Sequence, residues 1–188
     1  LIALPAGASP QDAPFDSHGA STGLSSLWKV RLGDIEQTVK DADALQKQIS
    51  SLAVPFRDKA QDFRVKFARL SSLFQASRGH PTEQLTLIQQ MHVLQTNLQD
   101  EIAPLQAMSA SIDARLQDIS TIQEEMKKVS SAGSVSDEES ASIDEYNQKL
   151  AAAKRTYERA ATQLNAVLST ANTVLSKINS SVSGIEDS

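Results

Sequence analysis

The residues with which metal or acid–base chemistry could begin in this chain are its carboxylates and its three histidines, His18, His80 and His92. Metal sites need His, Cys or carboxylate side chains to converge at ligand distance. Only His80 has a carboxylate one helical turn on, Glu83, and nothing nearby completes an HExxH-like set. Asp41 and Asp43 lack the glycine and terminal glutamate of a calcium loop and read as an exposed helix face. The acid pairs Asp100-Glu101 and Glu124-Glu125 occupy adjacent positions, about 100° apart around a helix, and read as solvated. No glycine-rich phosphate loop is present, and the many serines have no base and orienting acid at a recognisable spacing. The sequence therefore nominates no catalytic, cofactor-binding or metal-binding residue, and the chain reads as non-enzymatic.

One charged constellation remains. Arg57, Lys59, Arg64, Lys66 and Arg69 form a basic run suited to lipid headgroups or an acidic polymer, but Asp58 and Asp62 interrupt it. In a helical hairpin the run would face Asp100 and Glu101, so internal pairing is the expected use of these charges. Asn179-Ser180-Ser181 matches a glycosylation sequon, which matters only in a eukaryotic secretory setting.

Composition narrows the class. With no Cys, disulfide scaffolds and thiolate metal sites are excluded. A net charge of −5 argues against nonspecific nucleic-acid binding. Only 4% of residues are aromatic and there are seven Gly, which favours helices joined through aliphatic seams and disfavours an all-β fold. No apolar run reaches the roughly 18 residues needed to cross a bilayer.

The elements that would carry these residues are long helices. Counting threes and fours from Ile143 gives Tyr146, Leu150, Ala153, Tyr157, Ala160, Leu164, Val167, Ala171, Val174 and Ile178 without a slip, which is a coiled-coil seam. A second seam runs through Leu85, Ile88, Met91, Leu94, Leu98, Ile102, Leu105, Met108, Ile112, Leu116, Ile119, Ile122, Met126 and Val129. A third, less regular one runs through Trp28, Leu32, Ile35, Val39, Ala42, Leu45, Ile49, Leu52, Phe56, Ala60, Phe63, Phe67, Leu70 and Phe74.

Stop and start signals predict helices over about 24–78, 81–130 and 137–182. Ser21 or Thr22 serves as a cap for the first, Gly79 ends it, and Pro81 opens the second. Gly133 ends the second, and Ser136-Asp137-Glu138-Glu139 forms a capping box for the third. The short connections make the architecture an elongated antiparallel up-down-up three-helix coiled-coil bundle. Pro55 and Pro104 lie almost equally far from His80, so the first two helices should share a proline-matched bend. The small Ala153 and Ala160 should allow close approach of the bulkier Phe63, Phe67 and Phe74 region or of its counterpart elsewhere along the bundle. The first helix is basic and the other two acidic, which favours the first packing against both.

Ahead of the helices, residues 1–8 end in Ala6-Gly7-Ala8 and fit the remnant of a secretory signal peptide. Residues 9–23 hold Pro10, Pro14, Gly19 and Gly23 and read as a flexible linker, leaving 24–188 as the helical domain.

At Ser26-Leu27-Trp28-Lys29-Val30-Arg31-Leu32-Gly33-Asp34-Ile35-Glu36, followed by an Ala/Leu/Gln-rich helix with Pro55 and Arg57, the chain resembles the N-terminal periplasmic helical region of large bacterial mechanosensitive channels of the small-conductance family. The resemblance covers about residues 26–75. It implies a soluble module on the periplasmic face of the inner membrane, with membrane helices following Ser188 and neighbouring subunits as partners in a homo-oligomer. Lipid headgroups and the cell wall are further candidate partners, and nucleic acid is not one. The family's pore residues lie outside this chain, so none transfers. Two other readings are a periplasmic ligand-sensing bundle of a receptor and a secreted coiled-coil scaffold or regulator of a cell-wall enzyme.

Overall fold

The computed structural model describes residues 20–131 and 135–186, and their side chains from Leu32 onward. Residues 1–8, most of the expected linker, and Gly133 lie outside the described residues. The chain is all-α, with three helices: α1 (Ala20–Ala76), α2 (Pro81–Ser131) and α3 (Asp137–Glu186). It divides into two units, Leu1–Asp34 and Ile35–Ser188, so the division falls inside α1. Of the first unit the described part is the opening of α1. The second unit is a three-helix bundle made of the rest of α1 with α2 and α3.

Helix α1 begins at Ala20, four residues earlier than the start signals suggest, and runs through Ser21, Thr22 and Gly23. A single glycine costs about 1 kcal/mol in a helix interior, too little to stop a long helix. At its other end the helix gives way to a turn in which Gly79 takes a φ of 92°, the left-handed conformation that Gly adopts without a Cβ clash. The His80 carbonyl then accepts the Gln84 N–H at 3.0 Å, which makes His80 the N-cap of α2.

The Ser136 box closes in both directions. Glu139 N–H donates to Ser136 Oγ at 3.3 Å and Ser136 N–H donates to Glu139 Oε2 at 3.0 Å. Helix α3 continues to Glu186, four residues past the expected end, and Gly184 lies within it. Pro55 and Pro104 each sit inside an unbroken helix, so neither splits its segment in two. No helix among the described residues is long and apolar enough to cross a membrane.

Interhelical pairs set the direction of each helix. Asp41 meets Arg115 and Lys59 meets Glu101, so numbering rises along α1 as it falls along α2. His92 meets Glu186 and Gln95 meets Asn179, which makes α2 and α3 antiparallel as well. Thr38 with Tyr157 and Gln46 with Gln163 run in the same sense, so α1 and α3 are parallel.

Burial recurs at seven-residue spacing. Ile35, Ala42, Ile49 and Phe56 form the buried column of α1, and Leu98, Leu105, Ile112, Ile119 and Met126 that of α2. Ile143, Leu150, Tyr157, Leu164, Ala171 and Ile178 form that of α3, which buries Ala153, Ala160 and Val174 beside them. Among the described residues α3 buries eleven side chains, compared with eight in α2.

Several seam assignments shift. Leu52 and Leu85 are exposed, at 38% and 58%. Leu168 is buried where Val167 is only half-buried, since straight α-helical spacing drifts against a strict heptad. Ala153 and Ala160 do not receive Phe63, Phe67 and Phe74. The Thr38–Tyr157 pair places them beside Ile35 and Ala42, far down the helix from those phenylalanines.

Candidate functional site

Polar side chains join the helices at two levels. At the first, Tyr157 of the α3 column is 1% exposed, and its hydroxyl lies 3.5 Å from the Thr38 carbonyl, at the outer limit for a hydrogen bond. Asp41 Oδ2 stands 3.7 Å from Arg115 Nη2, and Asp41 Oδ1 accepts from Gln37 Nε2 at 2.7 Å. Burial pushes the Tyr157 phenol upward; Arg115 opposes that shift and Asp41 adds to it. A neutral phenol buried between packed helices directs its O–H to the Thr38 carbonyl. Its consequence is structural: a layer drawn from three helices disfavours any register in which these groups meet apolar neighbours.

Sequence reading misses this layer, although a signal was present. Thr38 and Arg115 each stand three residues after a fully buried isoleucine, Ile35 and Ile112, where a seam would ordinarily carry an apolar side chain. Asp41, expected on a solvated face, is half-buried in the layer; Asp43 is exposed as expected.

The second level lies near the far end of α3. His92 Nε2 is 2.8 Å from Glu186 Oε1, and His92 Nδ1 is 3.2 Å from Gln95 Oε1. Gln95 Nε2 in turn donates to Asn179 Oδ1 at 2.7 Å. With oxygen acceptors at both ring nitrogens, the doubly protonated imidazolium satisfies the geometry best. The pKa of His92 is raised accordingly, first by Glu186 and then by Gln95. The chain is thus an α2–α3 clasp, and the sequon residue Asn179 is one of its links.

The basic run is only partly neutralised. Lys59 Nζ bonds Glu101 Oε2 at 2.8 Å across the helices, and Lys66 pairs with Asp62 on its own helix at 2.6 Å. Arg57, Arg64 and Arg69 are exposed and have no hydrogen-bond or ion-pair partner among the described residues, so internal pairing accounts for just part of the cluster.

The same part of α1 is incompletely covered. Past Ala60 its seam residues Phe63, Phe67, Leu70 and Phe74 are half-buried, whereas α2 and α3 bury Met91 through Leu105 and Leu168 through Val182. Two open stretches result. One, of about 480 Å³, is bordered by Arg64, Phe67, Val174, Lys177 and Ile178; the other, of about 710 Å³, by Phe74, Arg78, Leu85, Ile88 and Ile185. Ser71 and Ser181 border both, so the stretches join into one groove.

Among the described residues no three His, Asp or Glu side chains stand close enough to hold a metal ion. Asp100, Glu124 and Glu125 lie on exposed helix surface, and Glu101 is taken by Lys59. No family model, curated protein or solved structure matches the chain.

Proposed function

We propose that this chain is a non-enzymatic helical module of a mechanosensitive channel of the small-conductance family, standing on the periplasmic side of the inner membrane. There it extends the channel and takes part in gating or assembly, with neighbouring subunits as its partners. The setting is supported by the Trp28-to-Glu36 motif and the helical sequence that continues through Pro55 and Arg57. One observation carries the mechanical role: buried columns at seven-residue spacing recur in all three helices, which commits those columns to packing. Such columns keep neighbouring helices aligned as a coiled coil over many turns. At 1.5 Å per residue, α2 alone measures about 75 Å.

The helices in this reading bend together. Lys59 lies one turn past Pro55 and pairs with Glu101, which lies just short of Pro104, so the two prolines fall at one level of the bundle. A bend common to both helices would let their seams stay in register through the missing hydrogen bonds.

Single-channel recording from the intact protein tests this. Deleting residues 35–188 is expected to shift the tension threshold for opening or to lower the number of assembled channels. An unchanged threshold together with unchanged assembly removes the gating and assembly role. A natural polypeptide without membrane helices removes the channel itself.

A further inference from the structure

We infer that the groove between the later part of α1 and the end of α3 is a docking seam for an amphipathic helix with acidic flanks, contributed by a different polypeptide segment. The inference does not depend on the channel assignment. Its first support is the composition of the walls. Phe67, Phe74, Val174 and Ile178 supply apolar surface, Arg64, Arg78 and Lys177 supply charge, and the remaining polar lining is Ser and Gln. No carboxylate lines either stretch, in a chain with 23 Asp and Glu against 18 Lys and Arg. The three cations are exposed and have no hydrogen-bond or ion-pair partner among the described residues. An occupant that brings carboxylates to those rims and an apolar stripe to the floor completes both deficits at once.

The form of the groove decides among occupants. It is shallow and open along its length, whereas small-molecule sites enclose most of their ligand. From Arg64 to Ala76 it follows α1 for about 18 Å, a little over three helical turns. A helix laid alongside buries its stripe against the half-covered phenylalanines, as a fourth member of the bundle.

A bilayer fits less well, because a flat headgroup surface meets the exposed Arg64, Arg78 and Lys177 but not Phe67 and Phe74, which are half-buried between the helices. A second copy fits poorly too. Its helices already bury their apolar columns against one another, and a two-fold pairing through this groove would set the basic walls face to face.

The test uses the full chain and synthetic peptides of about 20 residues with leucines at the a and d positions of each heptad. One peptide carries Glu at the flanking e and g positions, the second carries Lys there, and the third is a scramble of the Glu peptide. Fluorescence anisotropy is expected to show the Glu peptide binding at least tenfold more tightly than either control. The triple variant Arg64→Glu, Lys177→Glu, Arg78→Glu alters only exposed side chains, and circular dichroism checks that it remains folded. In it the preference should invert toward the Lys peptide. Equal affinity for the Glu peptide and the scramble overturns the proposal, as does a preference that survives the triple variant. It is also overturned if the chain binds phosphatidylglycerol vesicles through these three cations while ignoring the Glu peptide.

Discussion

His92 illustrates how a single exposed side chain can report on a helix pair. Its ring bridges Glu186 of α3 and Gln95 of its own helix, and both contacts favour the protonated form. The folded-state pKa therefore lies above 6.5, the ordinary value. A group whose pKa is raised on folding contributes stability that is complete below the unfolded pKa and disappears as pH rises through the folded one. Urea midpoints should fall across that window near neutrality, by a small amount because the pair is about half exposed. The variant His92→Gln should flatten this part of the pH profile and leave the acidic limb intact. A His92 resonance titrating at or below the ordinary value would contradict the clasp. Sequence offers no route to this pair, since it joins residues far apart in the chain and depends on where α3 ends. The Ser136–Glu139 box is the opposite case: it is local, and its four residues declare it.

At the scale of elements, three long helices and their connections are legible because helix signals are local: apolar spacing, a left-handed glycine, a capping serine. Which columns become fully buried is less legible, because that depends on how many neighbours each helix has. Leu85 fits the period of α2 yet stays 58% exposed, since α1 gives it incomplete cover. The prolines allow a test of how α1 and α2 accommodate each other. Both are exposed, and each removes a backbone donor from a continuous helix, a change that costs about 3 kcal/mol in an unconstrained helix interior. If the bends match, Pro55→Ala alone straightens α1 against a bent α2 and recovers only part of that amount; Pro104→Ala does the converse. The double variant should then exceed the sum of the two singles by at least about 0.5 kcal/mol in chemical denaturation. Additive singles would mean that the two helices accommodate their prolines independently.

For the whole molecule, the division of the chain inside α1 has a consequence for its stability. Gly and Pro content sets the expected boundary at residue 23, where the linker residues end, because sequence marks where the backbone is disfavoured as a helix. The division at Asp34–Ile35 lies within α1, and Ile35 is the first fully buried residue among the described side chains. What defines a cooperative unit is burial shared among elements, and a helix can extend beyond it. Deleting residues 1–34 should therefore leave one cooperative thermal transition, with a midpoint within about 4 °C of the full chain, the shift that about 1 kcal/mol gives at this size. Deleting residues 1–60 should act very differently. That truncation removes Ile35, Ala42, Ile49, Phe56 and Ala60, strips the partners of Tyr157 and Arg115, and uncovers the α2 and α3 columns, so cooperative melting should be lost and self-association should follow. Calorimetry with sedimentation on both truncations decides the point. A 1–34 deletion that melts broadly would place the start of α1 inside the cooperative unit and move its boundary back toward the linker.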